Sequence, residues 1–226
     1  MDIMLTDAPG DYEKVLIDIQ EINANIEGQG WVKLSLLRPG IYNLLDLQNG
    51  IDTLLCSQRV PVGELQEIRL VLGSRNTVVV NGVTYDMETP SAEQSGLKIK
   101  IKESIRSGNK YVVWIDFDAN KSIVLTGSGK YILKPVLRAF LKYNTGSLKG
   151  DVNQDDAVLF VNTISNSNTD TFTTLTFLGG KFFYMGLPSG SYHVHFYNRA
   201  GQDIKTLSNI QVNTNANTDL GDINIP

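Results

Sequence analysis

The chain has 226 residues, with 20 Lys and Arg against 24 Asp and Glu for a net charge of −4. That length holds one large β domain or two small ones, with a core that needs no metal or disulfide support. Mild acidity without a dense basic patch excludes nucleic acid as a partner, because neutralised phosphates supply most of that affinity. Cys56 is the only cysteine, which excludes an intramolecular disulfide, and no apolar run approaches the roughly 20 residues that span a bilayer.

From the N-terminus, no basic segment followed by an apolar one marks a signal peptide. The chain therefore reads as cytosolic, or as the mature part of an exported protein in which Met1 precedes a domain edge at Asp2. Val15 to Ile26 fits two patterns. Val15, Ile19, Ile22 and Ile26 make a helical stripe. Val15, Ile17 and Ile19, then Ile22, Ala24 and Ile26, make a strand whose phase slips once. β-Branched enrichment favours the strand, and the slip predicts a β-bulge at Gln20–Glu21. A short helix is expected within Asp46–Ser57, the only one in this half. Cys56, in the apolar run Leu54-Leu55-Cys56, reads as an inert buried thiol.

Gln66–Leu72 alternates, with Ile68, Leu70 and Leu72 inward and Glu67 and Arg69 outward. Val78–Val80 and Val83–Tyr85 flank Asn81-Gly82, the strongest short-range hairpin signal, because a type I′ turn needs positive φ at both centres. Lys98–Glu103 sends Ile99 and Ile101 one way and Lys98, Lys100 and Lys102 the other. Tyr111–Phe117 is aromatic and β-branched, and reads as a central strand. Ser128–Tyr143 contains Pro135, which cannot donate to a ladder, so this strand should lie at an edge or bend there.

Asn144-Thr145-Gly146-Ser147 is a turn-type link, and the texture changes after it. Asn and Thr become frequent. Short apolar segments recur at Ser147–Val152, Ala157–Ile164, Phe172–Phe177, Phe182–Tyr184, Ser191–Tyr197, Asp203–Gln211 and Asp219–Asn224. Turn clusters divide them at Gln154-Asp155-Asp156, Ser165–Asn168, Gly179-Gly180, Pro188-Ser189-Gly190 and Asn198–Gly201. About seven short strands so punctuated predict a small immunoglobulin- or transthyretin-like sandwich. The chain is thus expected to be all-β, with two β-sandwich-like domains over residues 1–144 and 145–226.

Two resemblances extend this. Gly146-Ser147-Leu148-Lys149-Gly150, Gly180-Lys181-Phe182-Phe183 and Gly186-Leu187-Pro188-Ser189-Gly190-Ser191-Tyr192-His193-Val194 resemble the opening strand and core signature of the carboxypeptidase-regulatory-like (transthyretin-related) sandwich family. That resemblance implies an accessory module without an active site. Over residues 2–140, the chain resembles domain-of-unknown-function family 4382. The residues that carry it are Leu5-Thr6-Asp7-Ala8-Pro9, Trp31, Leu44-Leu45-Asp46-Leu47, Glu67-Ile68-Arg69-Leu70, Asp116-Phe117-Asp118 with Ser122, and Tyr131-Ile132-Leu133-Lys134-Pro135-Val136. This resemblance implies an exported, outer-membrane lipoprotein facing the periplasm or the cell surface. Membrane attachment would then come only through a lipid anchor on a cysteine that this chain lacks. No catalytic residue is implied.

Candidate chemistry is sparse. His193 and His195 sit at i and i+2, so on a strand they share a face and offer two ligands to a metal, a third being needed from elsewhere. The competing reading turns Tyr192, Val194 and Phe196 to the core and both imidazoles to water. Asp116, Asp118, Asn120 and Ser122 alternate like the start of a calcium loop, but Lys121 and Gly127 occupy the positions that need Gly and a bidentate Glu, which excludes an EF-hand. A looser Ca²⁺ site including Asp7 is one reading. The other is a strand-ending turn in which Asp118 and Asn120 bond local backbone. Asp151, Asn153 and Asp155 mimic the same loop and fail at Asp156 and Asn162. Gly127-Ser128-Gly129-Lys130 lacks the first Gly and the final Ser/Thr of a phosphate loop.

Lys98, Lys100 and Lys102 form a basic stripe, suited to an anionic glycan or headgroup, or to guarding a sheet edge. Trp31, Tyr42, Tyr131 and Tyr143 include candidates for a sugar platform. The favoured function is a non-catalytic cell-envelope module, structural or adhesive, with a protein partner. A glycan- or small-ligand-binding lipoprotein and a metal-dependent enzyme using His193 and His195 are the alternatives. No cofactor is expected beyond the Ca²⁺ reading.

Overall fold

Nearly every described element of the computed structural model is a strand, as the period-two patterning predicts. It describes residues 1–8, 12–48, 50–89, 96–153, 160–165, 171–176 and 179–225. These fall into two units, Met1–Phe140 and Leu141–Pro226.

In chain order the first unit contains β1 (Asp2–Ala8), β2 (Lys14–Ile26), β3 (Gly30–Leu34), β4 (Gly40–Asn43), β5 (Thr53–Ser57), β6 (Gly63–Leu72) and β7 (Thr77–Val80). It continues with β8 (Val83–Glu88), β9 (Leu97–Ile105), β10 (Val112–Asp118), the single helical turn α1 (Ala119–Ser122), β11 (Ile123–Leu125), β12 (Tyr131–Leu133) and β13 (Leu137–Leu141), all but the last residue of which lies in this unit. One sheet runs β13-β10-β1-β5, with β1 and β10 parallel. The other runs β11-β12-β8-β7-β2-β6-β9, with β3 and β4 also on β2.

β2 is the spine of the larger sheet. Both β3 and β6 pair with Ile22–Ile26, so they lie on opposite edges, and both β4 and β7 pair with Leu16. Its pairing with β6 shifts between Ile19 and Glu21. The extra residue keeps Val15, Ile17 and Ile19 on the same buried face as Ile22, Ala24 and Ile26. The strand reading and its bulge therefore hold. Leu65, Ile68 and Leu70 of β6 and Ile99 of β9 join this apolar face, and Ile3, Leu5, Val113, Ile115 and Phe117 furnish that of the smaller sheet.

The Asn81-Gly82 hairpin forms as expected, with Val80 opposite Val83 and φ of 50° and 73° at the two turn residues. The Gly82 N–H also donates to the Glu13 carboxylate at 2.9 Å. Pro135 bends the chain as well as marking an edge. β12 belongs to the larger sheet and β13 is an edge strand of the smaller, so the chain changes sheets across Lys134–Val136. Ser122 pins the crossing: its carbonyl accepts from Lys134 N at 2.7 Å and its hydroxyl from Val136 N at 2.8 Å.

Two local expectations change. The short helix placed in Asp46–Ser57 is instead one 3-10 turn at Leu44–Leu47, followed by β5. Leu44 and Leu47, three apart, are both buried by that turn, which touches both β1 and β2. α1 is a second helical turn, where only a strand-ending turn was expected.

The second unit contains β14 (Gly146–Val152), β15 (Phe160–Ser165), β16 (Thr171–Leu175), β17 (Lys181–Leu187), β18 (Gly190–Tyr197), β19 (Asp203–Val212) and β20 (Asn217–Ile223). A three-stranded sheet, β17-β14-β20, and a four-stranded one, β16-β15-β18-β19, make a seven-stranded sandwich. Leu148, Phe182, Tyr184, Tyr192, Val194 and Phe196 form its core. Tyr192 Oη donates to Pro188 O at 2.7 Å and so ties down the turn that precedes its own strand. The Gln154-Asp155-Asp156 turn, residues 157–159 and Asn166–Asn168 lie outside the described residues.

The bulge in β2 carries a prediction. Deleting Gln20 turns Val15, Ile17 and Ile19 to the solvent face, so the protein should lose its cooperative unfolding transition in urea. Gln20→Ala keeps the register and should cost no more than about 1 kcal/mol in the same experiment.

Candidate functional site

The predicted acidic residues do not converge. β1 and β10 are parallel and in register, with Asp7 opposite Phe117. Pleating places Asp7 on the face of Leu5 and Phe117, and Asp116 and Asp118 on the other. Asp7 Oδ1 accepts from Ala119 N at 3.0 Å, while Oδ2 is buried without a hydrogen-bond partner. Burial holds the Asp7 carboxyl well above the usual carboxylate range. Asp116 and Asp118 add to the rise, whereas the Ala119 N–H and the Gln48 side chain act against it. The Gln48 amide approaches without closing a hydrogen bond, and its Nε2 is buried and unpaired too.

Asp116 is held by Arg138, whose Nε and terminal nitrogen both lie 2.7 Å from its Oδ2. Asp118 caps α1 by accepting from Lys121 N at 3.0 Å and pairs with Lys121 Nζ at 2.9 Å. It therefore bonds local backbone.

His193 and His195 share the outer face of β18, with ring centroids 6.3 Å apart, while Tyr192, Val194 and Phe196 fill the core. His195 Nδ1 lies 2.7 Å from Asp203 Oδ2 and 2.9 Å from Thr206 Oγ1. Among the described residues no three His, Cys, Asp or Glu side chains are grouped to hold a metal ion. Cys56 is fully buried, and burial pushes its thiol up to about 11, so it is not a thiolate at neutral pH.

A different surface carries ordered rows of polar and aromatic side chains. Across β3, β2, β6 and β9, register aligns two outward rows: Trp31, Asn25, Glu67 and Lys100 in one, and Lys33, Asn23, Arg69 and Lys98 in the other. Arg69 reaches across β2 to lay its guanidinium 4.6 Å from the centre of the Trp31 ring. Trp31 remains 38% exposed. Beside these rows lies an open groove of about 640 Å³, lined by Asn25, Glu64, Gln66, Glu67, Lys100 and Lys102.

The groove sits at a bulge. Asn25 and Ile26 pair with Glu67 and Leu65, leaving Gln66 extra, and β9 slips at the same point. The sequence carries that signal, since Leu65 and Ile68 are three apart while Ile68, Leu70 and Leu72 keep period two. Asn23, Asn25 and Gln66 were not anticipated as site residues, because a cross-strand row is set by register rather than by spacing. Of the aromatic candidates, Tyr42 is core, Tyr131 packs on Tyr85 at 5.0 Å between ring centres, and Tyr143 is exposed.

A family model described as Domain of unknown function (DUF4382) matches residues 1–135. The chain belongs to the DUF4382 family. No curated protein matches it. Among solved structures, the minor pilin of Streptococcus agalactiae is similar at 8% identity and a TM-score of 0.28, over 100% of this chain and 96% of that one. The major pilin subunit of Bacillus cereus is 11% identical with a TM-score of 0.27, over 99% and 69%. The shaft pilin of Lactobacillus rhamnosus GG is 8% identical with a TM-score of 0.26, over 99% and 96%. Among the described residues, no helix of the DUF4382 domain or of the second unit is long and apolar enough to cross a membrane.

The buried carboxyl of the DUF4382 domain sets a pH dependence. A carboxyl raised in the folded state stabilises fully below its unfolded pKa of about 3.9, and that contribution is lost as pH rises through the folded value. Asp7→Asn keeps the acceptor for Ala119 N–H and cannot ionise. It should stabilise the protein at pH 7 by about 1–3 kcal/mol, because the folded state disfavours the ionised carboxylate and the amide has no ionised form. The gain should shrink toward pH 4, as read from urea unfolding at both pH values.

Proposed function

We propose that this DUF4382 protein is a non-catalytic, exported module of the cell envelope that docks a protein partner in a structural or adhesive role. The observation that carries the reading is an apolar strip at the β11 end of the larger sheet. Leu125 pairs with Tyr131 and Tyr131 with Met87, which places Leu125, Tyr131, Tyr85 and Val83 on one face. Leu125 is 59% exposed and Val83 49%. Clustered exposed apolar groups of this kind mark contact surfaces more often than isolated ones do. The reactive groups nearest to a catalytic pattern support the non-catalytic part. Asp7 is buried and bonded to the Ala119 N–H, Asp116 is engaged by Arg138, and the Cys56 thiol is buried.

Export as a lipoprotein is supported by the family resemblance of residues 2–140. An accessory sandwich of carboxypeptidase-regulatory type is supported by the Gly186–Val194 segment, whose Tyr192 and Val194 enter the core. A second reading, glycan binding, is favoured by the exposed Trp31 beside the groove.

Retention of envelope proteins on immobilised wild-type protein, compared with a Val83→Asp/Leu125→Asp variant, tests the docking reading. The variant should lose at least about tenfold of the retained material, corresponding to some 1.4 kcal/mol. Equal retention sets this surface aside.

A further inference from the structure

We infer that the outer face of β3, β2, β6 and β9 binds an acidic glycan, a uronate-bearing chain, with Trp31 as the platform for a sugar ring and Arg69 as the partner of its carboxylate. This rests on the binding-module reading and deepens its glycan form.

The first argument is the state of two donors. Asn23 lies in register with both Lys33 and Arg69 on the outward face, yet is only 5% exposed, under an arginine that crosses β2. Its Nδ2 and the Arg69 Nε are buried without hydrogen-bond partners among the described residues. Native structures rarely leave such donors unpaired. Both are donors, so both call for an acceptor-rich ligand, and carboxylates and sugar oxygens supply acceptors.

The second argument is charge. Lys33 pairs with Glu21 at 3.1 Å, and Lys102 lies 3.9 Å from Glu64. Among the described residues, that leaves Arg69, Lys98 and Lys100 facing Glu67 alone across the two rows. The surplus is cationic although the whole chain is anionic. A guanidinium presents paired N–H groups that match a carboxylate.

The third is shape. The groove is shallow and open, lined by Asn25, Gln66 and Glu67, whose amides and carboxylate suit hydroxyl recognition, and Trp31 flanks it through its pairing with Asn25. An apolar ring edged by planar polar groups suits a sugar, which has an apolar face and a polar rim.

Calorimetric titration with the hexasaccharide of galacturonic acid, in parallel with maltohexaose as the neutral probe, tests this. The acidic oligosaccharide should bind with a Kd below about 1 mM, and binding should weaken severalfold in about 0.5 M salt. Trp31→Ala and Arg69→Gln should each weaken it about tenfold or more. A readout that leaves the site intact is the fluorescence of a Trp114→Phe protein, in which Trp31 is the only tryptophan. Its emission should shift on titration. No binding of the acidic probe, or no response from Trp31, overturns the site. Equal binding of maltohexaose overturns the acidic assignment. Full binding by both variants moves the site elsewhere and leaves the binding-module reading standing. Cleavage of the probe to shorter chains overturns the non-catalytic reading instead.

Discussion

The DUF4382 domain depends on one constraint: β2 must bury a single face along thirteen residues although its apolar pattern changes phase halfway. A strand cannot do so without inserting one unpaired residue, because side chains alternate strictly. Gln20 is that residue. The insertion lets β4 and β7 pair with the first half of β2, and β3 and β6 with the second, so that four strands use one spine. Removing the phase slip would leave one half of the sheet with its apolar side facing water.

A long continuous sheet creates polar problems where strands end, and these are solved locally. Asp18, buried on the outer face of β2, is held by Arg75 Nε at 2.9 Å, and its amide donates to Asn76 Oδ1 at 2.9 Å. Asn76 in turn donates to Gly73 O at 2.7 Å, so one buried aspartate fixes the connection from β6 to β7. The Arg75 side chain first, with Gln20 assisting, holds the Asp18 carboxyl below its ordinary value. Asp7 is the opposite case. It meets one backbone N–H, an unpaired amide and two like charges on the next strand, and burial holds its carboxyl well above the usual range. The same residue type thus titrates in opposite directions in one domain, and the difference is whether a cation reaches it.

The architecture was legible where periodicity was unambiguous. Ile68, Leu70 and Leu72 give β6, Asn81-Gly82 gives the hairpin, and Pro135 gives the bend and the edge position. The seven strands of the second unit were readable from their turns. The helix near Asp46 was misplaced because Leu44 and Leu47 are spaced for one turn of helix, while the following Leu54-Leu55-Cys56 run has no period to separate helix from strand. The site was less legible for a different reason. Trp31 and the lysine stripe stand out as residues, yet the rows that join them to Asn23, Asn25 and Arg69 exist only once four strands are in register, and these residues are up to 77 positions apart, from Asn23 to Lys100.

Two of the bulges of the larger sheet have different consequences. The one at Gln20 restores the apolar face and serves the core. The one at Gln66 falls where Leu65 and Ile68 already keep their side chains inward, so its effect is felt on the outer face. There the extra residue lies between β2 and β9, and the groove opens beside it. A flat sheet face lined by lysines and glutamates would be a solvated surface with every charge answered by water. Here the face also carries an arginine that crosses the spine onto an exposed indole, and two donors, Asn23 Nδ2 and Arg69 Nε, are buried without hydrogen-bond partners among the described residues. The fold supplies that arrangement at no cost to its core, because the inward face of β6 is unchanged on either side of Gln66.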